Sequence, residues 1–268
     1  MDKRPIGVFD SGLGGLTVVK KIIKILPKES IVYLGDTARV PYGPRSKDVV
    51  THFAIQDMKF LIRQGVKVIV IACNTVSAYS FDEIRKLASL PVFDAISPAS
   101  ESAKTITKNN RIGVIGTWGT IKTHSYKKKI SRNSKINVFE KACPLFVPFI
   151  EEGEIKGDLI KKLAKKYLSP IKQRNIDTLI LGCTHYPIIK KIIKKEVGTK
   201  VKLVDPAEEI ATNLKTFLEE KNLFAPKALH VVRKYFVTDL TDRFVKVAEM
   251  FLGKELKGKI KKVNIEQE

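Results

Sequence analysis

Two short apolar runs in this sequence end on a cysteine, and this repeated pattern constrains the fold more than any other feature. The runs are Val68–Cys73 and Thr178–Cys183. β-Branched and aliphatic runs of this kind are typical of buried strands in a parallel sheet. Small hydrogen-bonding residues and a helical pattern follow each cysteine, which places it at the C-terminal end of its strand. Ligands bind at that edge of open α/β sheets, so two thiols could face one small ligand from opposite sides.

Strand-like and helix-like segments alternate along nearly the whole chain. Strands are expected at Ile6–Phe9 and Ile31–Leu34. Ser46 is the expected N-cap of a helix, and Gly65 is its expected C′ residue, because Ser caps helix N-termini and Gly follows helix C-termini. This alternation predicts an α/β fold with mainly parallel sheets flanked by helices.

The pattern restarts in the middle of the chain. Ile112–Thr117 repeats features of Ile6–Ser11, and the Cys183 run repeats the Cys73 run. The two separations, 106 and 110 residues, nearly agree, which indicates an internal duplication. We expect a first lobe of residues 1–97 plus 207–268 and a second lobe of residues 98–206, with the active site in the cleft between them. The tail after Asp205 is too short for a third lobe, so it is expected to complete the first.

Cysteine content and apolar runs limit the cellular setting. Three cysteines without a CxxC pair argue against a disulfide framework and against a zinc site, so no metal is expected. No segment approaches the ~18 consecutive apolar residues of a membrane span. The first strand follows Met1–Pro5 directly, without a secretory apolar segment. We therefore expect a cytoplasmic protein without a membrane partner.

The formal net charge of +21 raises the question of nucleic-acid binding. Lys and Arg are spread over most helical segments and are densest in Lys254–Lys262. A nucleic-acid binder would more often show an aromatic-interleaved basic stripe or a known module, and neither is found. We expect solvated basic faces that attract anionic ligands rather than a specific nucleic-acid site. A salt-dependent shift of labelled DNA or RNA would support the alternative.

A glycine-rich turn, Gly12–Gly15, follows the first strand. It lacks the Lys-Ser/Thr of a P-loop and the GxGxxG spacing of a dinucleotide site. We interpret it as a tight strand-to-helix turn in which the N–H groups of Ser11 and Gly12 face the cleft. A substrate carboxylate could bind such a helix N-terminus.

The two strand-end cysteines are candidate reactive thiols. A single one would most simply be an ordinary buried cysteine, but two in the same context favour chemistry. The helix N-termini that follow them are expected to lower their pKa. Cys143 lacks this context and is interpreted as structural. Asp10 is either a helix cap or a carboxylate that faces a substrate ammonium or orients Cys73. His185 is a candidate partner for ionising Cys183.

Together these residues resemble the glutamate racemases of the aspartate/glutamate racemase superfamily. The match runs in order over nearly the whole chain, and the ordered set is far more specific than any one motif. The matching stretches are Gly7–Gly15, Asp36–Gly43, Ala72–Thr75, Gly116–Thr120 and Gly182–Pro187.

The resemblance implies two pseudosymmetric α/β lobes and cofactor-independent interconversion of L- and D-glutamate, which supplies D-glutamate for bacterial peptidoglycan. It implies that Cys73 and Cys183 are the acid/base pair, with Cys73 deprotonating D-glutamate and Cys183 L-glutamate. Glu151 matches a further acidic residue near the second thiol, although Glu152 beside it is an alternative. The implied substrate site comprises Asp10, Ser11, Pro41, Tyr42, Gly43, Asn74, Thr75, Thr117, Thr120, Thr184 and His185.

Other enzymes on the same scaffold remain open at this point. They are a racemase for aspartate or another small acid, and a related cysteine lyase. Thr184 and His185 favour glutamate by resemblance only. The partner we expect is therefore L- or D-glutamate, a small molecule, and the oligomeric state is left open, with a homodimer as one option.

Overall fold

The computed structural model describes residues 1–132, 134–226, 228, 230–252, 256 and 260–265. Within these residues, short strands alternate with helices along the chain. The strands are β1 (Ile6–Asp10), β2 (Ile31–Gly35), β3 (Val68–Ile71), β4 (Val92–Phe93), β5 (Arg111–Gly116), β6 (Asn137–Ala142), β7 (Thr178–Gly182), β8 (Lys202–Val204), β9 (Arg233–Val237) and β10 (Ile260–Lys262).

The helices cover both faces of the sheets that these strands form. They are α1 (Leu16–Ile25), α2 (Lys47–Arg63), α3 (Asn74–Leu87), α4 (Ile96–Ile106), α5 (Trp118–Lys122), α6 (Ser125–Ser131), α7 (Phe146–Glu151), α8 (Asp158–Lys172), α9 (Lys190–Val197), α10 (Pro206–Glu220) and α11 (Asp242–Leu252). Over the ranges that the structure describes, none of the helices combines the length and apolar character needed to cross a membrane.

The strands form two sheets. The first has the order β10-β9-β2-β1-β3-β4, and the second has the order β6-β5-β7-β8. Each pairing between these strands is parallel. The predicted fold class, α/β with mainly parallel sheets flanked by helices, is therefore confirmed.

The second sheet repeats the central part of the first. In both, the order along the sheet is second strand, first strand, third strand, fourth strand of the lobe. The register repeats as well, because Ile6 lies opposite Val68 and Ile112 lies opposite Thr178. Cys73 and Cys183 each follow the strand that pairs with the first strand of its sheet. The two thiols therefore occupy equivalent positions in two copies of one topology.

The core consists of the apolar runs seen in the sequence. All residues of β1, β3 and β7 are buried. Full burial of one aliphatic side chain contributes about 1.5–3 kcal/mol. The long helix α8 adds an apolar face with helical spacing, formed by Ile160, Leu163, Ala164, Tyr167, Leu168 and Ile171.

The chain after Asp205 packs against the first sheet. β9 pairs with β2, and β10 pairs with β9. The strand β9 begins at Arg233 and ends at Val237. Helix α10 packs against both α1 and α4, so it contacts helices associated with each sheet. Most of the basic stretch Lys254–Lys262 lies outside the described residues, apart from Leu256 and β10. The lobe boundaries given above stay a prediction.

Candidate active site

A cavity of about 290 Å³ lies where the C-terminal ends of the two sheets meet. This volume is at the small end of the ~300–1,000 Å³ range of ligand sites, so it suits a small molecule. Its walls are formed by the segments that follow β1, β2 and β3 of one sheet and β5, β6 and β7 of the other. The lining residues are Ser11, Val40, Pro41, Tyr42, Gly43, Pro44, Cys73, Asn74, Thr75, Thr117, Trp118, Pro144, Val147, Pro148, Glu151, Cys183, Thr184 and His185.

Cys73 stands on the wall that belongs to the first sheet. It is the N-cap residue of α3, and its Sγ lies 3.5 Å from Ser11 Oγ. Burial, and then the nearby Asp10 carboxylate, raise the pKa of Cys73 to about 12. The expected lowering by the helix N-terminus is therefore wrong for Cys73, because the thiol is 5% exposed and desolvation outweighs the helix dipole.

Asp10 lies fully buried beside this wall, at the end of β1. Its Oδ2 accepts hydrogen bonds from the N–H groups of Gly15 at 2.8 Å and Gly12 at 3.2 Å. The interpretation of the Gly12 N–H as a cleft-facing donor is therefore wrong, since Asp10 already accepts from it. Asp10 Oδ1 has no hydrogen-bond partner among the described residues. Burial raises the pKa of Asp10, partly opposed by the charge on His185.

Cys183 stands on the opposite wall, after β7. Its Sγ lies 3.8 Å from His185 Nδ1, and His185 Nε2 lies 3.0 Å from Glu151 Oε1. Burial alone would lower the pKa of His185, but the hydrogen bonds to Cys183 and Glu151 raise it to about 10. The segment after Cys183 forms a 3₁₀ turn over Tyr186–Ile189 rather than an α-helix. The positive charge next to Cys183 therefore comes from His185 and not from an α-helix N-terminus.

The structure distinguishes the two adjacent glutamates. Glu151 lines the cavity and contacts His185. Glu152 follows the last residue of α7 and lines a separate recess of about 220 Å³. Glu151 is therefore the glutamate that faces the thiol-lined cavity.

Hydroxyl and amide groups line the cavity between the two thiols. Thr75 Oγ1 lies 2.9 Å from Thr117 Oγ1, so hydroxyls that follow strands of different sheets meet here. Thr120 is buried behind Thr117 and bonds to its Oγ1 at 3.1 Å. Asn74 Oδ1 accepts from the Tyr126 hydroxyl at 2.6 Å. Within the part of the chain described, the buried Nδ2 of Asn74 has no partner, so it is available to a ligand.

The loop after β2 contributes one side of the cavity with Pro41, Tyr42 and Gly43. The buried Tyr42 hydroxyl donates a hydrogen bond to Asp36, and Arg39 Nε donates to the same carboxylate at 2.6 Å. These buried contacts hold the loop in place on the side that faces away from the cavity.

Glycines allow the segments that follow the strands of the two sheets to approach each other closely beside the cavity. The Gly119 N–H donates to Gly43 O at 2.9 Å, which joins helix α5, after β5 of one sheet, to the loop after β2 of the other. A side chain at Gly14 would overlap Thr184 Oγ1 and would come within 2.6 Å of His185 Nδ1. The turn after β1 therefore touches the Cys183 wall directly, and only glycine fits at position 14.

The cavity lining contains hydroxyls, an amide and carboxyl or imidazole groups, but no Lys or Arg. His185 is its one basic side chain among the residues described. In the same ranges, no cluster of three or more His, Cys, Asp or Glu side chains could hold a metal ion.

Twelve of the fourteen site residues proposed from the sequence line this cavity. The other two, Asp10 and Thr120, are buried directly beside it. Cys143 is fully buried and is not among the lining residues. Sequence reasoning missed an apolar part of the wall, which carried no polar motif to indicate it. These residues are Val40, Pro44, Trp118, Pro144, Val147 and Pro148.

Comparisons with known proteins bear on this site. The family model for Asp/Glu/hydantoin racemase matches residues 6–214. A glutamate racemase of Geobacter metallireducens is 44% identical over 100% of this chain and 99% of its own length. A glutamate racemase of Thermoanaerobacter pseudethanolicus is 45% identical over 96% of this chain and 97% of its own.

Solved structures of glutamate racemases are also similar to this chain. The glutamate racemase of Francisella tularensis, in complex with D-glutamate, has a TM-score of 0.93 and 42% identity, with 100% of both chains covered. The glutamate racemase of Thermus thermophilus, in complex with β-chloro-D-alanine, has a TM-score of 0.89 and 38% identity, again with 100% of both chains covered.

Proposed function

The chain belongs to the Asp/Glu/hydantoin racemase family and is an amino-acid racemase, and we propose that it interconverts L- and D-glutamate with Cys73 and Cys183 as its acid and base. Inverting a stereocentre through a carbanion requires a base on one face of the α-carbon and an acid on the other. The observation that carries this proposal is one small cavity with a thiol from each sheet in its walls.

The reaction of L-glutamate begins with the Cys183 thiolate, which removes the α-proton. The electrons of the broken C–H bond stay on the substrate as a carbanion. The Cys73 thiol then gives its proton to the opposite face, and D-glutamate leaves. The two sulfurs have exchanged their protonation states, so the reverse reaction starts from Cys73. The scheme requires neither a metal nor an electron-sink cofactor.

His185 and Glu151 support the base on the Cys183 side. With a pKa of about 10, His185 is an imidazolium at neutral pH, and its positive charge lies next to Cys183 Sγ. A positive charge there stabilises a thiolate. Glu151 holds the imidazole by the bond to Nε2 and so keeps Nδ1 directed at the sulfur.

Asp10 and Ser11 act on the Cys73 side. Ser11 Oγ contacts the sulfur, while burial, and after it the nearby carboxyl group of Asp10, raises the pKa of Cys73. Cys73 therefore rests as a thiol, the form that donates a proton. Asp10 also fixes the Gly12–Gly15 turn, and its Oδ1 is a candidate acceptor for the substrate ammonium group.

The carboxylates of glutamate bind through hydroxyl and amide donors, since the cavity lining has no Lys or Arg. The candidate donors are Ser11, Asn74, Thr75, Thr117 and Thr184. Thr120 positions Thr117, and the loop residues Pro41, Tyr42 and Gly43 close the side of the cavity. A preorganised donor at developing negative charge contributes about 3–4 kcal/mol to transition-state stabilisation.

Broader proposals follow from the same family membership. The reaction supplies D-glutamate for bacterial peptidoglycan, and we place the enzyme in the cytoplasm. The lobes are residues 1–97 plus 207–268 and residues 98–206, and closure between them excludes water from the carbanion. A homodimer is proposed as the assembly, and light scattering of the purified protein tests it.

The activity is tested by circular dichroism of L-glutamate and, separately, L-aspartate, each incubated with protein dialysed against a chelator. L-Glutamate should lose its signal. L-Aspartate is shorter by one methylene, and such a difference is worth about 10–200-fold in rate. A strict requirement for pyridoxal phosphate or a divalent metal would contradict the proposed chemistry. Faster turnover of L-aspartate would instead assign this scaffold to the other acid.

A further inference from the structure

A second, open groove of about 880 Å³ lies beside the catalytic cavity. It runs between the N-terminal end of α2, the middle of α3, and helices α5 and α6. Gly43, Pro44 and Trp118 line both the groove and the cavity, so the two spaces are neighbours that share a boundary. The groove is too large for glutamate alone and is open to solvent along its length.

The charge of the groove is of one sign. Arg45, Lys47, Lys122 and Lys128 line it, all four are exposed, and no carboxylate side chain is among its lining residues. Within the described part of the chain, none of the four is engaged in an ion pair. These cations therefore retain their charge for a ligand. Clefts lined by one sign of charge concentrate ligands of the opposite sign.

The surroundings of the cavity are otherwise poor in positive charge. The cavity itself has no Lys or Arg, and the recess on another side of it is lined by Glu151, Glu152 and Asp239. An anion approaching from the recess meets carboxylates, whereas an anion approaching from the groove meets four cations. The two approaches to the cavity thus differ in sign.

We propose that the groove is a docking site for small dicarboxylate anions, from which the substrate passes Trp118 into the catalytic cavity. The proposal rests on glutamate being the substrate, as stated above. Arg45 and Lys47 lie on the first-sheet side of the groove, and Lys122 and Lys128 lie on the second-sheet side. Cations on both sides of the groove therefore raise the local concentration of dicarboxylate anions within it. Exposed ion pairs are weak, so the dicarboxylate docks only transiently. It therefore moves on into the cavity and is not retained in the groove.

Trp118 provides a built-in reporter for this step. It is the only tryptophan of the sequence, and its side chain is 59% exposed at the boundary of groove and cavity. Tyr79 lies across the same groove. A dicarboxylate that docks in the groove and passes this boundary changes the environment of the indole. Intrinsic tryptophan fluorescence therefore reports binding without a label.

The experiment uses the 268-residue chain and glutarate, a dicarboxylate that lacks the α-amino group and cannot be racemised. Stopped-flow fluorescence gives its association rate constant between low and high salt. The wild type should bind about tenfold faster at low salt, the lower end of the range for electrostatic steering. The double variant Lys122→Gln/Lys128→Gln should bind slowly at both salt concentrations, with kcat for glutamate unchanged.

The matched control is Lys162→Gln/Lys165→Gln, which removes the same charge from exposed positions on α8. It should keep the wild-type rate and salt dependence. Neutral glutaramide should show no salt-dependent association. Equal association rates in the two double variants would overturn the docking site, and so would a fluorescence signal that stays silent at saturating glutarate.

Failure of the docking site and failure of the proposed function give different results. Normal racemisation with equal association rates in both double variants defeats the docking site alone. Charge-dependent binding of glutarate without any turnover of glutamate defeats the proposed activity and leaves the groove as an anion site.

Discussion

The two walls of the cavity come from equivalent positions in two copies of one topology, yet their details differ. Cys73 caps the fourteen-residue helix α3, whereas Cys183 precedes a short 3₁₀ turn. Next to Cys73 stands a serine, and next to Cys183 stands a histidine held by a glutamate. The repeated topology thus supplies the geometry for attack from two faces, while the local sequence places a different charge on each face.

The charged groups on the two walls have opposite signs. Burial and Asp10 raise the pKa of Cys73 to about 12, which keeps it protonated at neutral pH. His185 places a positive charge beside Cys183. A two-base racemase needs one thiol and one thiolate at the start of each turnover. The two walls therefore place different charges beside the two sulfurs without any change in fold.

Thermodynamics limits where this asymmetry can be observed. Enantiomers have equal free energies, so kcat/KM for racemisation must be the same in both directions for the wild type and for every variant. A difference between the walls therefore appears only in half-reactions, such as elimination or α-proton exchange, or in kcat and KM taken separately.

The largest effect is expected for loss of either thiol. Cys73→Ser and Cys183→Ser should each lower racemisation by about 10²–10⁴-fold, because inversion needs both faces. Circular dichroism of either enantiomer measures this. Cys143→Ser, at a buried cysteine outside the cavity lining, is the matched control and should racemise normally. Substantial racemisation by either single variant would show that inversion does not need a thiol on both walls.

A smaller effect is expected for the groups that support each thiol. His185→Gln should slow α-proton exchange of L-glutamate in D₂O by about 10–100-fold, since it removes the charge beside Cys183. Ser11→Ala should act on the exchange of D-glutamate instead. Proton NMR of the Cα signal measures both rates. If the two variants slow both enantiomers equally, the two walls do not act separately.

The close approach of the walls can be disturbed directly. Gly14→Ala should lower kcat by about tenfold, because the new methyl group displaces Thr184 and His185 and misplaces catalytic groups. Gly65→Ala is the control. It introduces a methyl group into open space at a φ of +69°, so it should cost about 1 kcal/mol of stability without changing kcat. A Gly14→Ala enzyme with normal kcat would show that contact between the walls is not required.

The smallest effect concerns stability and pH. The pKa of His185 is about 10 in the folded protein against 6.5 in its ordinary state. The folded state therefore binds the proton more tightly, and this contribution is complete below pH 6.5 and is lost as pH rises through 10. The loss is at most about 1.4 kcal/mol per pH unit. Urea unfolding at pH 7 and pH 9 should show a steeper decline for wild type than for His185→Gln. Parallel declines would contradict the raised pKa.

Local sequence predicted much of the framework. Ser46 caps α2 by accepting from the Val49 N–H, and Gly65 adopts a positive φ after that helix. The strand-end position of both cysteines also followed from apolar patterning. These features depend on neighbours in the chain, so the sequence pattern contains them.

Features that depend on tertiary packing could not be predicted. The choice between Glu151 and Glu152 depends on how α7 packs, which places Glu151 against His185. The raised pKa of Cys73 depends on burial beneath residues distant in sequence, which outweighs the helix N-terminus. The apolar wall at Pro144, Val147 and Pro148 has no chemical motif to mark it.

The central claim is that each thiol serves one face of the substrate. The most direct test measures elimination by Cys73→Ser and Cys183→Ser from the two enantiomers of a glutamate analogue with chloride on Cβ. Removal of the α-proton and departure of chloride need only one base, and hydrolysis of the resulting enamine gives 2-oxoglutarate. Cys183→Ser should keep elimination from the D-configured analogue, and Cys73→Ser should keep it from the L-configured one. Equal loss from both enantiomers in both variants would contradict the account.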